Sequence, residues 1–172
     1  MKDFIIGLDI GGTHLRIGVV DRAGKVACFE KRESGEVCGE SGSEARLVAL
    51  IRDYLARNGL AHRAAALAVG FPSTVSRDKR IIYSSPNLPL GGAGGLDGRD
   101  VVAALERALG IPVFLDKDTV FLLQYDLVRL GLRGKGCTVG IYYGTGIGNA
   151  VFLDGRFLCG RSEERRVGKE CR

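Results

Sequence analysis

No stretch of this 172-residue chain is apolar for long enough to span a bilayer, and Met1 leads straight into a strand-like run. Neither a membrane span nor a secretory leader is therefore expected. The five cysteines (Cys28, Cys38, Cys137, Cys159 and Cys171) form no C-x-x-C pair and no regular framework, which leaves reduced thiols as the expectation. His14 and His62 are the only histidines, isolated from each other and from any acidic cluster, so neither suggests a metal site. Net charge is +5, and the last twelve residues alone hold five Arg/Lys against three Glu. The rest is spread without a basic block or interleaved aromatics, and nucleic-acid binding is not expected. The G-x-G-x-x-G fingerprint of a dinucleotide fold is also missing.

What the chain has in excess is glycine. Its 26 glycines are about twice the usual share and mostly sit beside apolar runs. That placement points to tight turns or close approaches of backbone to a ligand. "FIIGLDI" reads as a buried strand, and "HLRIGVVD" and "KVACFEKRE" follow across short turns, which makes an antiparallel meander. Ser41 to Asn58 has the spacing of one helix face, with Ser43 as a cap and Asn58-Gly59 as its end. "RAAALAVGF" is a further buried strand, stopped by Pro72. A glycine-rich loop over 91–98 precedes a helix faced by Val101, Val102, Leu105, Ala108 and Leu109, then the strand "PVFLD". Thr119 to Leu130 is apolar nearly all round and reads as a buried helix. "RGKG" over Arg133 to Gly136 reads as a linker before two more strands. The order βββαβαβα, then strands again, fits an α/β layered domain followed by the opening of a second unit.

Two glycine turns carry the chemistry. The first strand runs through Asp9 into Gly11-Gly12-Thr13. Adjacent glycines let backbone N–H groups converge on an anion, the threonine hydroxyl adds a donor, and Asp9 can hold Mg²⁺ beside a phosphate. An ordinary hairpin turn accounts for the same letters equally well. "GTGIG" (Gly144, Thr145, Gly146 and on to Gly148) is again a glycine turn between strands. Two such turns opening successive units look like halves of a phosphate clamp. In "DKDT", Asp118 begins a helix and could accept a hydroxyl proton, or simply cap the helix; Asp116 competes for either role. Asn87, in "SSPNLPL", offers a donor and an acceptor to a polyol, although a turn role is commoner. "SRDKR" (Ser76 to Arg80) reads as a solvated hairpin.

In this order "LDIGGTHLRIGVVD", "SSPNLP" and "GTGIG" resemble the first phosphate motif, the sugar loop and the second phosphate loop of the ROK family of sugar kinases and repressors. The resemblance covers Ile5 to Gly160. "GFPSTVSRDKRIIYSSPNLPL" looks most like that family's D-allose kinase branch. The resemblance implies an actin-like ATPase (ribonuclease H-like) domain over 1–132 and the first strands of a second similar domain over 133–160. It implies a cytoplasmic enzyme that moves the γ-phosphoryl of ATP, with Mg²⁺, onto a hexose hydroxyl, with no nucleic-acid or membrane partner and scope for a homodimer at full length. Carried over by position, Asp118 matches the base, Asn87 a sugar ligand and Asp9 the acid near the metal. Gly11, Gly12 and Thr13 match one phosphate loop, and Gly144, Thr145 and Gly146 the other. The family usually reads N-D-A-N around the base, whereas this chain has Lys117-Asp118-Thr119-Val120. A sugar contact from asparagine is thus absent or replaced by Lys117, which argues against a plain glucokinase.

A member of this family would continue past Gly160 into a G-E-x-G-H motif and a cysteine cluster for structural zinc. Arg161 to Arg172 ("RSEERRVGKECR") reads instead as the translation of a common short-read sequencing adapter. The chain is expected to be an N-terminal portion, inactive alone, with an artefactual tail. The competing readings are a sugar-responsive repressor of the same family and a sugar-binding module without turnover. The repressors carry a helix-turn-helix ahead of the first phosphate motif, and here only four residues precede Ile5. Retention of Asp118 argues against the binding module.

Overall fold

The computed structural model describes residues 3–39, 42–85, 88, 95–134, 136–144, 146–158 and 165–166. It divides into two compact units, Met1–Asp116 and Lys117–Arg172.

The first unit is built on a five-stranded mixed sheet of order β3-β2-β1-β4-β7. Strands β1 (Phe4–Ile10), β2 (His14–Asp21) and β3 (Val26–Glu33) form the expected antiparallel meander. β4 (Ala64–Phe71) lies parallel to β1, and β7 (Val113–Lys117) continues beyond β4. β1 is buried on one face only: Ile6, Leu8 and Ile10 turn inward while Ile5 is exposed. The two-residue period of a strand therefore sets Asp9 on the opposite face. β4, between β1 and β7, is buried almost throughout, as its unbroken apolar run requires. β3 is nearly all exposed, and the β2–β3 register slips between Ile17 and Val19, near Cys28, whose φ is 51°.

α1 (Ser43–Arg57) buries Leu47, Leu50, Ile51, Tyr54 and Leu55, the face expected from their spacing. Each such side chain contributes about 1.5–3 kcal/mol on leaving water. Tyr54 is fully buried, and its hydroxyl donates to the Cys28 carbonyl at 2.9 Å. Burial pushes its phenol up to about 12. Ser43 does not cap this helix. Gly42, in left-handed conformation, holds the cap position, and the Ser43 hydroxyl turns back to the Gly39 carbonyl at 3.3 Å. α2 (Val101–Leu109) begins on a true cap, where the Asp100 carboxylate accepts from the Ala103 N–H at 2.8 Å. It ends on Gly110 at φ 66°, the left-handed geometry that glycine adopts without strain. A small hairpin, β5 (Thr74–Val75) and β6 (Ile82–Ser84), stands between β4 and α2.

The second unit packs α3 (Asp118–Arg129) on the hairpin of β8 (Cys137–Tyr143) and β9 (Gly146–Leu153). Val120, Leu123 and Leu127 of α3 meet Ala150 and Phe152 of β9. The Tyr142 hydroxyl donates to Asp126 at 2.8 Å, and Phe152 meets Phe157 edge-on at 5.1 Å. The linker reading at 133 assigned this helix to the first domain; its buried face instead belongs with β9, and the units part after Asp116. Nor is α3 buried all round, since Leu122, Tyr125 and Val128 are exposed. β10 (Arg156–Phe157) and β11 (Arg165–Arg166) pair with β9, β11 opposite Ile147 and Gly146. Among the described residues no helix is long and apolar enough to cross a membrane. Cys28, Cys38 and Cys137 are free thiols, and burial raises that of Cys38 to about 11.

Candidate functional site

In the first unit, Gly11, Gly12 and Thr13 turn the chain from β1 into β2. The Gly11 N–H donates to the His14 carbonyl at 2.9 Å, closing the turn. A β-carbon on Gly11 would stand 2.9 Å from that same carbonyl, so the position has no room for a side chain. Ser34 fastens the turn from behind: its hydroxyl donates to the Gly11 carbonyl at 2.6 Å, and its N–H to the Thr13 carbonyl at 3.0 Å. Thr13 is left exposed. No local pattern singles out Ser34, which is fully buried and lies far along the chain. Asp9 pairs across the hairpin with Arg16, Oδ2 to Nη1 at 2.8 Å, and its side chain is 46% exposed.

The hairpin read as merely solvated is tied to its surroundings. Lys79 Nζ lies 2.8 Å from Asp116 Oδ1 with both side chains partly buried, and Arg80 pairs with Asp100 at 2.9 Å. The Ser76 hydroxyl accepts from the Arg80 and Ile81 N–H groups inside the turn. Ser73 and Ser85, both buried, share a short hydroxyl contact, and Ser85 also reaches Asp97 at 3.4 Å. This network holds the strand end that runs toward Asn87. Asn87 itself, like Thr145, lies outside the described residues.

In the second unit, Lys117 is the cap residue of α3 and Asp118 its first helical residue. Asp118 Oδ1 accepts from the Thr119 N–H at 2.6 Å. Thr119 is 3% exposed, and its hydroxyl donates to the Asn149 carbonyl of β9 at 3.0 Å. β9 begins at Gly146, where the glycine turn ends, and the Gly144 N–H donates to the Gly146 carbonyl at 2.9 Å. The helix bearing Asp118 is thus anchored to the strand leaving the second glycine turn. Val120, an asparagine in the usual family pattern, is buried in the core of this unit and presents no polar group.

A divalent cation held jointly by protein and phosphates needs only one or two carboxylates, and Asp9 is a half-exposed one of the right hardness, now engaged by Arg16. Among the described residues no three His, Cys, Asp or Glu side chains gather as a complete metal cage. A nucleotide-borne Mg²⁺, which takes most of its ligands from phosphates and water, fits a single carboxylate of this kind.

Mixed-sheet α/β architecture of this kind is shared with solved sugar kinases. A glucokinase from Streptomyces griseus, in complex with glucose and AMPPNP, superposes with a TM-score of 0.68 at 23% identity, over 92% of this chain and 47% of that one. A ROK family transcriptional regulator, a homolog of the E. coli MLC protein, superposes at 0.75 with 21% identity, over 98% and 41%. Both likenesses bear on the fold. The ROK family model matches residues 5–164, and the chain belongs to the ROK family. Glucokinase of Thermotoga maritima is 30% identical over 160 residues, which is 91% of this chain and 47% of that protein. The chain spans about half the length of the curated relatives it matches.

Proposed function

We propose that this chain is the N-terminal part of an ATP-dependent hexose kinase. The observation that carries the reading is Asp118, at the first turn of a helix bonded to the strand that leaves the second glycine turn. In the proposed reaction Asp118 takes the proton of a sugar hydroxyl as its oxygen attacks the γ-phosphorus of ATP. The bond from that phosphorus to the β–γ bridging oxygen breaks, and ADP leaves with the electron pair. Gly11, Gly12 and Thr13 form one phosphate turn and Gly144, Thr145 and Gly146 the other. The Gly11 and Gly144 N–H groups close their own turns, so the donors to the phosphates come from Gly12, Thr13, Thr145 and Gly146. Mg²⁺ beside Asp9, when bound, offsets phosphate charge. Asn87 and Lys117 hold sugar hydroxyls.

For the substrate we propose D-allose. The name of the Thermotoga maritima relative favours glucose. The departure at Lys117-Asp118-Thr119-Val120 favours a different hexose, and the buried Val120 supports it by removing a polar contact. A missing or misplaced hydroxyl partner costs about 1–3 kcal/mol, roughly tenfold to a hundredfold in discrimination. We further propose that Arg161 to Arg172 is not native sequence and that activity requires the natural continuation.

A hexose panel with ATP, run on the protein at the length of its relatives and on the 172-residue chain, tests all three points. Expected are ADP release by the longer protein alone and a higher kcat/KM for D-allose than for D-glucose. A glucose or N-acetylmannosamine preference overturns the substrate. ADP release from no hexose overturns the kinase, and an active 172-residue chain overturns the reading of its tail.

A further inference from the structure

Two contacts between the first turn of α3 and β9 serve more than core packing. A β-carbon added to Gly148 would stand 2.6 Å from Thr119 Cγ2, closer than side-chain carbons approach one another. The next atom of Thr119, Cβ, would be 4.0 Å away, an ordinary contact. One residue further along β9, the Asn149 carbonyl accepts the Thr119 hydroxyl at 3.0 Å. Thr119 is 3% exposed, so that hydroxyl has no solvent alternative. Its methyl fills the space that glycine leaves, and its oxygen fixes the register. Adjacent in the chain, the Thr119 N–H donates to Asp118 Oδ1 at 2.6 Å.

We propose that Thr119 and Gly148 are positioning residues: together they lock the carboxylate of Asp118 to the β8–β9 phosphate hairpin, so that base and phosphate donors move as one piece. This rests on the reading of Asp118 as the general base. Rate depends on such alignment far more steeply than sugar affinity does, and a misplacement of about 1 Å can cost on the order of a hundredfold. Thr119 stands where the family usually has alanine, and its hydroxyl bond to the Asn149 carbonyl is one that alanine there could not make.

The test is a double-mutant cycle in the protein at the length of its relatives, with kcat, sugar KM and melting temperature measured for each variant. Gly148→Ala should lower kcat about tenfold to a hundredfold and move sugar KM by less than about threefold. Thr119→Ser keeps the hydroxyl and removes Cγ2, so it should retain most of the rate. The double variant Gly148→Ala/Thr119→Ser should recover to within about threefold of the parent, because the atom in the way is gone. Thr119→Val keeps the branch and loses the bond to Asn149, and should lower kcat with sugar KM unchanged. A double variant no faster than Gly148→Ala overturns the proposal, as does Gly148→Ala at the parent rate. If Gly148→Ala fails to fold, Thr119→Val decides: an unchanged kcat overturns the proposal. A parent protein that phosphorylates no hexose overturns the kinase reading itself, and that result is seen before any substitution is made.

Discussion

Replacing Asp118 by asparagine tests the proposed general base against its carboxylate neighbour two residues earlier. Asparagine is nearly isosteric and keeps an oxygen where the Thr119 N–H donates at 2.6 Å, so the side chain stays in place. What is lost is basicity. A positioned general base is worth about two to four orders of magnitude, or about 3–5 kcal/mol in the barrier. The melting temperature and the sugar dissociation constant should hardly change. Asp116→Asn is the informative contrast. It breaks the pair with Lys79 at 2.8 Å, where the Asp116 side chain is 18% exposed, and should cost about 1 kcal/mol in stability while leaving most of kcat. Steady-state ADP release, calorimetric sugar titration and urea unfolding of both variants in the full-length protein make the comparison. If Asp116→Asn abolishes turnover and Asp118→Asn does not, the base is Asp116 and the site has been read one strand-end too late.

Gly11→Ala should cost about 1–2 kcal/mol, because its methyl group would force the His14 carbonyl aside and weaken the bond that closes the first glycine turn; an unmoved urea midpoint would refute this. Asp100→Ala should destabilise by about 1 kcal/mol through loss of the α2 cap, with Asp100→Asn much milder, as read by thermal unfolding. The Ala103 N–H holds the Asp100 carboxyl below its ordinary range, and the Arg57 guanidinium does the same for Glu30. Below pH about 4 the unfolded chain therefore binds more protons at these sites than the folded one. Their stabilisation should be complete above pH about 5 and lost as pH falls through the depressed values, and the Asp100→Ala variant should show a shallower acid limb.

Local chemistry was legible where a few neighbouring residues decide it. The meander, the α1 and α2 faces and the strand ends of both glycine turns follow from period and turn residues close in sequence. The Ser43 reading failed because serine and glycine both satisfy helix starts, and only the backbone conformation of Gly42 decides between them. α3 looked buried because apolar residues surround it, yet amphipathic packing needs only Val120, Leu123 and Leu127, and the outward Leu122 and Tyr125 do not alter that face. The candidate site was harder. Ser34 behind the first turn, Lys79 on Asp116 and Thr119 on β9 are contacts between residues 23, 37 and 30 positions apart. No periodicity reports such pairs; they exist only once the strands have been ordered.

β3 forms one margin of the five-stranded sheet, and its row of unpaired backbone groups could template the addition of a foreign strand. Its sequence opposes that in two ways. Glu30, Lys31, Arg32 and Glu33 follow one another along it, so an incoming strand would have to match charges of both signs on both faces. The slipped register and the left-handed backbone at Cys28 also break the flat ladder that such a strand requires. Sheet growth on this side is therefore opposed by charge and backbone shape together, and α1 reaches the same strand, with Tyr54 at the Cys28 carbonyl and Arg57 at Glu30.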